Sequence, residues 1–242
     1  MQFFCFKEIL MKTCRIGIIS AMDVEIEELS SLLVDSKTFS VSGINFKYGK
    51  LFGRDVVLAV CGIGKVFAGI CAQTMILNFH VSEIINVGIA GGLSETLSIC
   101  DAAIADKAVQ YDMDTTAIGD PLGLISGINI VYLPTDPAIT KLLSECTGEI
   151  GVNYEVGTIG SGDTFVHSTD MKKNIIENFG AIACEMEGAA IAQACYINSV
   201  PCGIFRSISD GGNEASAIDY PTFRNIAVKD ILRVMKLYIG KR

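Results

Sequence analysis

The sequence predicts an α/β fold of three layers, a mixed, mostly parallel sheet with helices on both faces. Three observations carry that expectation. Strand-like and helix-like runs alternate along the chain. Several strand-like runs are apolar throughout, as strands buried on both faces must be. Half of the 242 residues are apolar and only 19% are charged, so a sizeable core is available.

In chain order, Arg15–Ser20 reads as the first strand and Asp23–Val34 as the first helix, with apolar residues at helical spacing. Asn45–Leu51 and Asp55–Cys61 read as two strands joined by the turn Phe52-Gly53-Arg54-Asp55. The helix Lys65–Phe79 leads to a strand at Glu83–Val87, followed by strands at Ala102–Ala105 and Ile128–Leu133. The remainder alternates strictly. Helix Pro137–Cys146, strand Val156–Gly160, helix Thr169–Asn178, strand Ala181–Cys184, helix Glu187–Asn198, strand Gly203–Ser209 and helix Tyr220–Leu237 complete the chain. No repeat or linker divides it, so a single domain is expected from Met11 to Arg242, preceded by an N-terminal extension, Met1–Leu10. That first stretch contains Lys7 and Glu8, with no separate basic lead and no clear cleavage site, which favours an upstream-start extension over a short signal peptide.

Bulk chemistry excludes several functions. A net charge of −8, with no basic run, disfavours nucleic acid as a partner. Mean hydropathy is high at +0.44, yet Gly, Ser, Asp and Lys interrupt every apolar run before the ~20 residues needed to cross a bilayer. The surplus is expected to cover buried strands and a subunit interface. Nine scattered cysteines with no CxxC, and only His80 and His167, predict reduced thiols in a cytoplasmic protein and no metal site.

In open α/β sheets ligands bind beyond the carboxyl ends of the strands, so polar residues there and inside apolar runs matter most. The Cys61-Gly62-Ile63-Gly64-Lys65 turn is not a phosphate loop, because Ala59 stands where its first glycine belongs and Val66 where Ser or Thr belongs. Nor is it a dinucleotide loop, with Phe67 at the third glycine position. On a helical wheel Glu25 falls inside the apolar sector, with Glu28 near its edge; an inward carboxylate and a first-turn Glu favoured by the helix dipole are equally good readings. Glu185 and Glu187 interrupt an otherwise apolar stretch, which favours a functional pair over a buried salt bridge to Arg206. Ser209-Asp210 ends the last strand beside Gly211-Gly212. Together these residues favour an acid/base site.

Six segments, in order, give the chain a resemblance to a known family. They are Ile16–Glu25 (IGIISAMDVE), Gly62–Val66 (GIGKV), Ile84–Leu93 (IINVGIAGGL), Ser161–Phe165 (SGDTF), Glu185–Ala190 (EMEGAA) and Arg206–Asp210 (RSISD). The sequence resembles the 5′-methylthioadenosine/S-adenosylhomocysteine nucleosidases of the purine nucleoside phosphorylase superfamily. The resemblance implies a nucleoside phosphorylase-like fold, a homodimer and no cofactor. It also implies hydrolysis of the N-glycosidic bond of methylthioadenosine, S-adenosylhomocysteine and 5′-deoxyadenosine, in methionine salvage. By the same resemblance Asp210 is the acid that protonates adenine N7, with a pKa raised by burial and Ser209 orienting it. Glu25 is the base for water, which Arg206 helps to position. Glu187 holds the ribose hydroxyls beside Met186, Phe165 stacks on adenine, Val166 reads the base edge, and Met22 and Ile63 line the 5′ pocket. Ile89 departs from the serine common there, removing one polar contact. In the partner-subunit loop Tyr111–Gly123, Thr115 and Ile118 depart from its usual residues. The rival readings are a nucleoside phosphorylase and a non-catalytic nucleoside binder on the same scaffold.

Overall fold

The computed structural model describes residues 14–210 and 220–242. The expected extension Met1–Leu10, the start of the domain at Met11 and Gly211-Gly212 lie outside the described residues.

The chain begins with β1 (Ile16–Ser20) and α1 (Asp23–Ser31), then β2 (Val34–Val41), β3 (Ile44–Leu51) and β4 (Arg54–Val60). Next come α2 (Lys65–Phe79), β5 (Glu83–Gly92), β6 (Ala102–Gln110), β7 (Tyr132–Pro134) and α3 (Pro137–Glu149). The last third holds β8 (Tyr154–Ser161), α4 (Thr169–Phe179), β9 (Ala181–Glu185), α5 (Gly188–Asn198), β10 (Cys202–Asp210) and α6 (Tyr220–Lys241).

All the strands join one mixed sheet. β1 lies parallel between β4 and β5, and β10 runs parallel to β5 on its other side. β8 is parallel to both β6 and β9. Antiparallel contacts of β10 with β6 and of β9 with the end of β5 then close a ring of five strands, β5, β10, β6, β8 and β9. Helices cover both faces. The side chains of α2 and α5 pack in one apolar cluster, and those of α1, α3 and α6 in a second across the sheet. The three-layer expectation holds, with the sheet curled rather than open.

The hairpin turn forms as its sequence predicts: Phe52 and Gly53 have φ of 49° and 85°, the left-handed pair that a two-residue connection needs. Two expectations need correction. Helix α1 stops at Ser31 rather than at Val34, and Val34–Val41 forms an edge strand that the sequence reading did not assign. An edge strand paired on one side only, and largely exposed, needs no apolar alternation, so its polar residues left no pattern. The strand expected at Ile128–Leu133 is reduced to a bridge between Ile125 and Ile130 and the short β7, because glycines at 123 and 127 turn the chain there.

Candidate active site

The carboxyl ends of β1, β5, β9 and β10 surround a cavity of about 400 Å³. Four carboxylates line it, those of Glu25, Glu185, Glu187 and Asp210, and no cationic side chain lies among its described lining residues.

Glu25 is brought there by the short connection from β1 to α1. Its Oε2 accepts the backbone N–H groups of Ala21 (3.0 Å) and Met22 (2.9 Å), and Oε1 accepts that of Ile89 (3.0 Å). The side chain is 3% exposed. Both readings of this residue therefore hold at once, since the carboxylate caps the first turn and faces the cavity. Glu27 and Glu28 point to solvent. The backbone N–H of Ile89 provides a polar contact at the position where its side chain cannot.

Arg206 lies behind the wall rather than on it, at 1% exposure. Its guanidinium pairs with Glu185 and with Asn86 Oδ1. Burial opposes its charge, but the carboxylates of Glu185, Glu187 and Glu25 outweigh that and hold its pKa above the ordinary value. Gly88 is what lets these groups meet: a Cβ there would collide with Arg206 Nη1 and stand 2.7 Å from Glu25 Oε1. Glu185 is the anchor of this cluster. It takes Arg206, the Ser161 hydroxyl and the N–H groups of Glu187 (3.0 Å) and Gly188 (2.8 Å) at the start of α5. The functional reading favoured for both glutamates thus separates, because Glu185 makes the buried salt bridge.

Glu187 keeps one recorded partner, the Gly64 N–H at 2.8 Å from its Oε1. Burial first, and the Glu185 charge second, push its carboxyl up to about 7. Gly64 belongs to the turn rejected as a phosphate loop, so that glycine-rich turn brings backbone to a carboxylate instead.

Asp210 corrects an expectation. Burial was to raise its pKa, but its side chain is 54% exposed and its Oδ2 pairs with Lys172 Nζ of α4 at 3.0 Å. β10 ends at the surface beside Gly91, so the carboxylate stands at the cavity mouth rather than beneath it. Ser209 Oγ donates to Oδ1 at 2.8 Å, the orienting contact expected of it.

Met22, Ile63, Phe165, Val166 and Met186 all line the cavity, with Phe165 77% exposed. Ile118 is exposed on a single 3-10 turn, and Thr115 donates to Asp120 (2.8 Å); neither lines the cavity within one chain. Sequence reasoning did not single out Ser161, Asn86 or Lys172. The signal for Asn86 was available, a lone amide inside the apolar run of β5. Lys172 sits on a charged helix surface and gave none. Among the described residues no cluster suited to a metal ion occurs and no helix is long and apolar enough to cross a membrane. The described cysteines are unpaired.

Comparison with known proteins places this geometry. The profile of the phosphorylase superfamily matches residues 15–240. A 5′-methylthioadenosine/S-adenosylhomocysteine nucleosidase of Shewanella frigidimarina is 37% identical over 211 residues, 86% of this chain and 91% of that protein. An aminodeoxyfutalosine nucleosidase of Campylobacter jejuni is 36% identical over 209 residues, with the same coverage of 86% and 91%. The crystal structure of the Neisseria meningitidis methylthioadenosine/S-adenosylhomocysteine nucleosidase with methylthio-immucillin-A superposes with a TM-score of 0.88 at 31% identity, covering 95% of this chain and 100% of that one.

Proposed function

The chain belongs to the phosphorylase superfamily and, within it, to the 5′-methylthioadenosine/S-adenosylhomocysteine nucleosidases, and from that premise we propose that it hydrolyses the N-glycosidic bond of those two nucleosides. The products are adenine and the 5-thioribose derivative. One observation carries the choice of water over phosphate: the described residues that line the cavity include four carboxylates and no cationic side chain, and the arginine behind it is already held by Glu185. A phosphate dianion at ~4 Å from a carboxylate would meet about 4 kcal/mol of repulsion per pair of unit charges at an effective dielectric near 20. Water needs a base, and Glu25 is placed to be one.

In this reading adenine stacks on Phe165, with its edge against the Val166 backbone. Protonated Asp210, oriented by Ser209, donates to N7 as the C1′–N9 bond breaks and the bonding pair leaves with adenine. Water adds its oxygen to C1′ and gives its proton to Glu25. Glu187 holds the ribose hydroxyls beside Met186, and its charge favours the positive character that develops on the sugar. Arg206 serves this chemistry by fixing the carboxylates, and no metal or cofactor is required. Met22 and Ile63 receive the 5′-alkylthio group.

The exposed apolar side chains Ile63, Val66, Phe67 and Ile118 suit a second copy of the chain. A homodimer would complete the 5′ pocket across that face. A cytoplasmic enzyme of methionine salvage fits the unpaired cysteines and the product chemistry. The test is adenine release from methylthioadenosine in phosphate-free buffer. Hydrolysis gives full rate and a free reducing sugar; strict dependence on phosphate, with a sugar 1-phosphate as product, would replace this reading with phosphorolysis.

A further inference from the structure

We propose that Lys172 is a positioning residue for the acid: a latch on Asp210 that holds its carboxylate in the acceptor state at the cavity mouth and must release it before a proton can be delivered to the base. The inference rests on the reading of Asp210 as proton donor. Both Asp210 oxygens are taken by donors, Oδ1 by the Ser209 hydroxyl at 2.8 Å and Oδ2 by the Lys172 ammonium at 3.0 Å. A carboxyl in that arrangement accepts only, while donation to N7 needs a proton on one of those oxygens. Ser209 can stay, since a hydroxyl can reorient and also reaches the Ala90 carbonyl at 3.2 Å. An ammonium has only protons to offer, so it competes with the proton itself.

Lys172 comes from α4, outside the strand ends that supply the other site residues, and its side chain is 19% exposed. Cys184 and Glu185 of β9 also lie on this side. The Cys184 thiol is pushed up to about 12, by burial and then by the Asp210 charge, and so stays neutral. Glu185 is committed to Arg206. β5 presents Gly91, which has no side chain, to the carboxylate. Lys172 is thus the recorded cation within reach of Asp210, and the pair is open enough to solvent to be screened by salt.

The test is kcat/KM for methylthioadenosine at low salt and in 1 M NaCl in wild type, Lys172→Met and Lys172→Arg. Without the ammonium the Asp210 carboxylate loses its competitor for the proton. At low salt Lys172→Met is therefore expected to exceed wild type about two- to five-fold, as for an ion pair open to solvent. Lys172→Arg should keep the wild-type rate, and 1 M NaCl should move wild type toward the Met variant. A Lys172→Met variant no faster than wild type at low salt, an excess that persists unchanged in 1 M NaCl, or an Arg variant that behaves like Met, overturns the latch. If Lys172→Met melts below the assay temperature, Lys172→Gln carries the same comparison. Asp210→Asn separates the two levels: wild-type turnover in it defeats the proton-donor reading, whereas an inactive Asn variant beside a Lys172→Met variant no faster than wild type defeats the latch alone.

Discussion

The two ends of the parallel strands bury the same residue types and use them differently. At the amino end, Glu83 at the start of β5 accepts from the Tyr238 hydroxyl (2.8 Å) and from Arg242 of the C-terminal helix end. One carboxylate meets one guanidinium and one phenol. At the carboxyl end, Glu25, Glu185 and Glu187 share the field of a single arginine. The amino end is a matched clamp. The carboxyl end holds more buried negative charge than its cation can satisfy, and Glu187 shows it in a carboxyl pushed up to about 7. Folding alone does not favour such a surplus, so imbalance rather than burial separates the site from the clamp.

Arginine removal should break the comparison most visibly. Arg206→Met leaves Glu185 buried without its cation and is expected to cost about 3–5 kcal/mol in urea denaturation, as removal of one member of a buried pair does. A cost equal to that of Arg242→Met would show that the two ends are energetically alike. Glu187→Gln sharpens the contrast through pH. Its carboxyl titrates near 7 in the fold against an ordinary 4.5, so folding favours the protonated form. That contribution is complete below about pH 4.5 and is lost as pH rises through about 7. The Gln variant, neutral at every pH and still able to accept from Gly64, should gain up to about 3 kcal/mol over wild type at pH 8 and little at pH 4. Its turnover should fall, because the sugar cation loses its counter-charge. Equal stability gains at both pH values would contradict a strained carboxylate.

Asp210→Asn comes next, with an expected loss of about 10²-fold in kcat and nucleoside binding retained, read by steady-state kinetics and calorimetry. The smallest effect belongs to the clamp. Arg242→Met should cost about 1 kcal/mol, as for a partly exposed pair, with kcat/KM unchanged.

Much of this was legible in the sequence, for physical reasons. Continuous apolar strands alternating with helices specify a covered sheet, and carboxylates inside such runs stand out because water is the cheaper place for them. The wheel placed Glu25 inward, and the interruption of an apolar run exposed Glu185 and Glu187. What the sequence could not separate was which of those two glutamates the arginine takes, since that depends on how β9 and β10 each pair with β5. The half-exposed position of Asp210 and its pairing with Lys172 join residues 38 apart in the chain on two different elements. The edge strand β2 was lost for the opposite reason, because most of it is exposed and only Phe39 and Val41 near its end pack on the core, too few to make a pattern.

The central claim is that the unmatched carboxylates at the carboxyl end exist for hydrolysis. The most direct measurement is adenine release from methylthioadenosine, in phosphate-free buffer, by Glu25→Gln beside Glu83→Gln. Glu25 as the base for water predicts that the first variant loses turnover by at least ~10²-fold while binding the nucleoside, and that the second releases adenine at the wild-type rate. Wild-type turnover by Glu25→Gln would contradict it.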